Sequence, residues 1–170
     1  MSRLIRFFIL FSIGLLISYL PIHQPTINAQ QSAIEDSVKA LINKSIAAAK
    51  KVNADLMISY YSDKYDMGFP GNGEYSPSLD SVAKVMKIGF NNLRSQKVDV
   101  REIKVAVLAP TVAIATMHGD ATATTKLNRT FRSPFVLTSV LAKVKDHWKI
   151  IHEHQSFPHH YSLEEASVIG

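Results

Sequence analysis

Apolar positions follow one period in the first half of the chain and another in the second. Ile34, Val38, Leu41, Ile42, Ile46, Ala49 and Val52 recur every three or four residues, the spacing of a single helix face, and predict a helix ending near Val52. Its start is set by Ser32-Ala33-Ile34-Glu35, which reads as a capping box: the serine accepts from a first-turn amide and the glutamate reaches back to the cap. Asn53 is suited to cap a second, shorter helix carrying Leu56, Met57, Tyr60 and Tyr61. Gly68, Pro70, Gly71 and Gly73 mark residues 64–75 as a loop. Ser76-Pro77 then opens a third helix with Leu79, Val82, Ala83, Met86, Phe90 and Leu93 on its apolar face.

Beyond Gln96 the period drops to two. Residues 98–108, 111–124, 130–145 and 148–157 are rich in valine, threonine, isoleucine and phenylalanine, with turn punctuation at Ala109-Pro110, Lys126-Leu127-Asn128 and Asp146-His147. Four strands joined by short turns make an antiparallel meander. Helices followed by strands predict an α+β architecture in which the helices cover one face of a curved sheet.

The N-terminus changes the picture of where this domain works. Arg3 and Arg6 precede an apolar run from Phe7 to Leu20, Pro21 interrupts it, and Ile27-Asn28-Ala29 offers a small-residue cleavage context. Residues 1–29 therefore read as a signal peptide, 30–157 as the domain and 158–170 as a tail. The run is about 14 residues, shorter than a bilayer-spanning helix needs, which sets an uncleaved anchor second to a cleaved leader. The expected location is periplasmic or secreted, with membrane contact only during export. The chain has no cysteine, so its core must hold the fold without disulfides.

The formal charge of +5 falls by two when Arg3 and Arg6 leave with the leader. The remaining cations do not form one block: Lys50-Lys51 and Lys84/Lys87 are spaced like solvated helix faces and have no interleaved aromatics, which excludes nucleic acid as the expected partner. The glycine-rich segment Gly68–Gly73 follows a helix and lacks a phosphate-loop lysine, and there is no Gly-x-Ser-x-Gly elbow. Phosphate cradling and serine- or thiol-based acyl transfer are not indicated, and no cofactor is expected.

Candidate chemistry collects in the last strand. Strict alternation puts Trp148, Ile150, His152, His154 and Ser156 on one face, and Lys149, Ile151, Glu153 and Gln155 on the other. The first set has the make-up of a pocket wall. His152 and His154, two apart, are also spaced to share a metal ion if His118 arrives from a neighbouring strand; the alternative is a pair of cavity histidines without metal. On another strand Thr116, His118 and Asp120 share a face with Val112 and Ile114, and alternation alone leaves open whether that face looks in or out.

Three N-terminal helices, a Gly/Pro loop after the second, antiparallel strands and the ending Trp148-Lys149-Ile150-Ile151-His152-Glu153-His154-Gln155-Ser156 resemble the SnoaL-like branch of the nuclear-transport-factor-2-like superfamily. The resemblance covers residues 33–157. It implies three helices packed on a strongly curved antiparallel sheet, forming a cone with an internal cavity and pairing as a homodimer through the sheet. Applied to this chain, it suggests a small, largely apolar organic molecule bound among Tyr60, Tyr61, Phe69, Met117, His118, Phe135, Trp148, His152, His154 and Ser156. A second expectation is an isomerase, dehydratase or lyase, with His154 or Asp120 as base and the Tyr61 hydroxyl as electrophilic partner. A third is a structural dimerisation module. Fold membership alone does not choose among them.

Overall fold

The computed structural model describes residues 25–65, 67–71 and 73–157. Most of the leader reading and the whole tail, residues 158–170, lie outside the described residues. The contacts divide the chain after Ser32, and the unit beginning at Ala33 carries the sheet and its core.

Helix α1 runs from Pro25 to Lys50. It starts earlier than the capping-box reading places it, and Ser32–Glu35 lies within it: Pro25 stands at the first position, where a missing N–H costs nothing and φ is already helical. The other end falls where the pattern put it. Val52 N donates to Ala49 O at 2.9 Å and Asn53 N to Ala48 O at 3.1 Å, the paired bonds of a Schellman stop. Val52 occupies the left-handed position, φ 53°, which glycine normally takes. Asn53 at once caps α2 (Ala54–Ile58), its side chain accepting from Leu56 N. Helix α3 spans Leu79–Asn91. Its cap is Ser78, with Ser81 completing a capping box, rather than Ser76, because Glu74–Ser76 is engaged in a strand.

Two short strands, β1 (Phe69–Gly71) and β2 (Glu74–Ser76), form a hairpin in the segment expected to be a loop. The long strands are β3 (Leu93–Ala109), β4 (Val112–Thr125), β5 (Thr130–Val144) and β6 (His147–Ser156). Leu93 therefore opens a strand instead of closing the apolar face of α3. The six strands make one open sheet in the order β2-β1-β6-β5-β4-β3, antiparallel except where β1 meets β6. Register shifts interrupt β3 at three places and β5–β6 at one, and each bends its strand and adds twist.

Gly119 lies opposite one of these shifts. Between Val100 and Glu102, β3 carries an extra residue, Arg101, and a Cβ at Gly119 would lie 2.2 Å from the Asp99 carbonyl oxygen. Only glycine lets the two backbones approach this closely.

The core lies between α1 and one sheet face. Val38, Ile42, Ile46 and Ala49 of α1 join Ala113, Ala115 and Met117 of β4, Phe135, Leu137 and Leu141 of β5, and Ile150 of β6 in one buried cluster. Ile42, Leu141 and Ile150 are among the largest fully buried side chains, each contributing about 1.5–3 kcal/mol of apolar burial. The helix stripe read from the sequence packs from Ile34 to Ala49, and Val52, its expected last member, falls instead in the left-handed stop.

Candidate functional site

Pairing fixes which side chains share the core face. Phe135, Leu137, Ser139 and Leu141 of β5 lie inward, and their neighbours on β6 are Gln155 opposite Leu137, Glu153 opposite Ser139 and Ile150 opposite Leu141. Ile151 has no partner: Val140 pairs with His152 and Leu141 with Ile150. This bulge inserts one residue into β6 and reverses the alternation beyond it. Both Ile150 and Ile151 are buried as a result.

The consequence corrects the face assigned to the last strand. Trp148 and Ile150 keep the core-side position, with Trp148 packed at the edge of the cluster. His154 opposes Thr138 and Ser156 opposes Val136 on the outer face, and both are exposed. His152, on that same side, is partly buried, with Nδ1 2.8 Å from the Gly68 carbonyl oxygen, so it ties the β1 loop to the sheet. Glu153 takes the inward position that alternation had given to histidine.

There Glu153 meets two hydroxyls. Tyr61 donates to Glu153 Oε1 at 2.8 Å and Ser139 donates to Oε2 at 2.9 Å. Tyr61 is 4% exposed and Ser139 1%; Glu153 itself retains some exposure. Tyr61 reaches this position because the segment after α2 runs beside β6: Ile150 N donates to Tyr60 O and Ser62 N to Ile150 O, both at 2.9 Å. Phe69 packs its ring against Tyr61 at 5.6 Å, edge-on at 62°. Phe135, Met117, Phe69 and Tyr61 are buried in one apolar cluster, with Tyr60 partly buried beside it.

Burial pushes the Glu153 carboxyl above its ordinary value, and the hydrogen bonds from Tyr61 and Ser139 and the neighbouring His152 oppose that rise. The Tyr61 phenol is pushed well above its ordinary value by burial first, then by the charge and hydrogen bond of Glu153. Tyr61 is therefore a neutral donor across the physiological range, and Glu153 is a proton acceptor of raised basicity.

The other candidates are not brought to this place. His118 and Asp120 lie on the outer face, opposite Val136 and Pro134. Asp120, its side chain 16% exposed, is held by Arg101 and also approached by Arg132 at 3.9 Å, which occupies it as an ion-pair centre. His118 Nε2 is 3.9 Å from Glu102. His118 stands two strands from His152 and His154, and no group of three metal-ligating residues converges among the described residues. Glu153 is the member of the site that alternation put on the wrong face; Ser139 shares its face with Phe135 by simple alternation and went unnamed. The signal for Glu153 is the adjacent pair Ile150-Ile151, two large apolar residues where alternation allows one.

The sequence profile of the SnoaL-like domain family matches residues 38–160. The chain belongs to the SnoaL-like domain family. A search of curated protein sequences finds no match. Solved structures similar to this SnoaL-like domain include a nuclear transport factor 2-like superfamily protein from Salmonella enterica serovar Typhimurium LT2, at 16% identity and TM-score 0.68, covering 79% of this chain and 97% of that one. A ketosteroid isomerase-like protein from Erwinia carotovora atroseptica SCRI1043 matches at 16% identity and TM-score 0.60, over 72% of this chain and 94% of that one. A hexachlorocyclohexane dehydrochlorinase matches at 9% identity and TM-score 0.66, over 78% and 90%. At these identities the likeness establishes the fold of the SnoaL-like domain; its chemistry rests on its own residues.

Proposed function

We propose that this SnoaL-like domain binds a small, largely apolar organic molecule on the inner side of its curved sheet, with Glu153 as the polar anchor. The observation that carries this reading is an inward carboxylate, fixed by the Tyr61 and Ser139 hydroxyls within an apolar cluster. Few convergent polar groups in apolar surroundings is the usual composition of a ligand site. Each Glu153 oxygen accepts one protein hydrogen bond and retains a lone pair for a donor on the ligand, a hydroxyl or an amine. Phe69, Met117, Phe135 and Trp148 supply the apolar contact. Export and pairing of two copies through the outer sheet face, where Val136 is 49% exposed, belong to the same proposal.

A second reading is favoured by the same trio. A carboxylate of raised basicity can remove a proton next to a carbonyl or leaving group; once Glu153 is protonated, the single Tyr61 O–H that it held is released to turn to the oxygen or halide that gains charge. In that reading Glu153 replaces His154 and Asp120 as the base.

Ligand-observed NMR on the purified full chain, against neutral aromatic and alicyclic alcohols, amines and ketones, tests the binding proposal. Binders with Kd below about 1 mM that weaken at least about tenfold in Glu153→Gln are expected. Absence of any binder, or binders indifferent to Glu153→Gln, overturns it. Turnover of a bound compound, lost in Glu153→Gln and following one acid limb in its pH profile, selects the enzymatic reading over simple binding.

A further inference from the structure

Away from Glu153, cations remote in sequence gather at one end of the folded unit. Lys51 follows α1, Lys87 lies on α3 and Lys126 on the β4–β5 turn, and all three line an open groove of about 770 Å³ with Ile88 and Leu93. One backbone bond and one side-chain bond hold the parts together: Lys126 N donates to Asn92 O at 2.9 Å, and Lys126 Nζ donates to Asn91 Oδ1 at 3.4 Å. Among the described residues lining this groove Asp55 is the one acidic side chain, and Lys87 pairs with it at 2.8 Å. The groove therefore keeps a net positive charge.

Aliphatic side chains stand among these cations instead of being buried. Leu127, at the tip of Lys126-Leu127-Asn128-Arg129, is 80% exposed; on α3, Val85 is 56% and Ile88 58% exposed. Leu79, Val82, Met86 and Phe90 pack α3 on the core, so Val85 and Ile88 are left over, each next to a lysine, Lys84 or Lys87. The turn is closed by Thr125 N donating to Arg129 O at 2.8 Å, and Asn128 sits at φ 61° and accepts from Arg94. This hydrogen-bonded tip presents Leu127 between Lys126 and Arg129.

We infer that this end of the domain, formed by the β4–β5 turn and the outward face of α3, docks on an anionic lipid surface. Cations interspersed with protruding aliphatics are complementary to negative headgroups above hydrocarbon. The same features fit a shaped acidic protein less well, because the aliphatics protrude from two separate elements beside an open groove instead of lining a concave apolar pocket. The sequence-based expectation confined membrane contact to export; the folded surface supplies a second, reversible mode that does not use the leader.

The chain has no cysteine, so Leu127→Cys in the full-length protein takes a single environment-sensitive fluorophore at the tip, and Glu74→Cys on β2 takes the control. With vesicles of phosphatidylcholine containing about one-third phosphatidylglycerol, the Leu127 label is expected to shift to the blue and the Glu74 label to stay in water. Partitioning read at Leu127 should fall at least about tenfold between about 0.1 M and about 1 M salt, as the screening length contracts from about 10 Å to about 3 Å. Lys126→Glu with Arg129→Glu should reproduce that loss while leaving the circular dichroism unchanged. A Leu127 label that stays in water overturns the inference, even where the N-terminal apolar run carries the chain to the vesicle. Equal shifts with pure phosphatidylcholine, or equal shifts at Glu74, overturn it as well.

Discussion

Replacing Tyr61 by phenylalanine removes one oxygen and leaves the ring that packs on Phe69. The lost atom is a donor 2.8 Å from Glu153 Oε1, and the cost depends on whether that carboxyl is charged. A hydrogen bond to a neutral acceptor contributes about 0.5–1.5 kcal/mol, and one to a charged acceptor about 1.5–3 kcal/mol. Glu153 is raised by burial above its unfolded value of about 4.3, so the folded state holds its proton more tightly than the unfolded state does. Stability from that proton is complete below about pH 4 and is lost as pH climbs through the raised folded value. Removing the Tyr61 hydroxyl removes a group that stabilises the carboxylate, raises the folded value further and deepens the loss. The destabilisation by Tyr61→Phe should therefore grow from about 1 kcal/mol at pH 4 to about 2–3 kcal/mol at pH 8. Urea denaturation at several pH values, followed by the fluorescence of Trp148, the single tryptophan, and by circular dichroism, measures it. A penalty that is flat with pH, or that shrinks as pH rises, would refute a charged Glu153 held by Tyr61.

Three further outcomes follow from the same geometry. Glu153→Gln removes the titrating group, so its stability relative to wild type, whatever the offset from losing one acceptor oxygen, should rise with pH above about 4.3 by about 1.4 kcal/mol for each unit of upward shift in the wild type; parallel stability–pH curves would contradict this. Gly119→Ala drives a methyl to 2.2 Å from the Asp99 carbonyl oxygen and should cost about 2–3 kcal/mol by chemical denaturation, whereas a neutral change would mean that the bulge opens freely. Val52→Gly relieves a β-branched residue at φ 53°, worth about 1–2 kcal/mol, against about 0.5–1 kcal/mol of added chain entropy; a net gain near 0.5 kcal/mol in the same assay is expected, and a loss would show that the left-handed position carries no strain.

The helical half was legible because its signals are local. The stripe Val38, Ile42, Ile46 and Ala49 is buried as its spacing required, and Asn53 caps α2 as its residue type suggested. Errors arose where tertiary pairing recruits residues without strong propensity. Phe69–Gly71 and Glu74–Ser76 look like a turn, yet Gly71 pairs with Gln155 across the sheet edge and the hairpin adds two strands. That pairing also consumes Ser76 and passes the helix cap to Ser78. Likewise Leu93 continues the apolar spacing of α3 but pairs with Thr125, because a strand partner was available to its backbone.

The site was less legible than the fold for a different reason. Face assignment in a strand is a parity, and one unpaired residue inverts it for everything that follows. Ile151 is that residue: before it the pattern is correct, with Trp148 and Ile150 on the core side; after it His152, His154 and Ser156 turn out and Glu153 turns in. Composition is unchanged by this inversion, but the interior changes from an imidazole pair to a carboxylate between two hydroxyls. The inversion is also self-consistent energetically. An inward Glu153 finds Tyr61 and Ser139, both nearly inaccessible, whose hydroxyls would otherwise be buried donors lacking this partner. On the outer side His154 is exposed, and His152, partly buried, is satisfied by the Gly68 carbonyl oxygen. A variant that deletes Ile151 removes the inserted residue, leaves His152 opposite Val140 and Glu153 opposite Ser139, and should therefore keep both the Tyr61 and the Ser139 contacts on a strand that now alternates regularly.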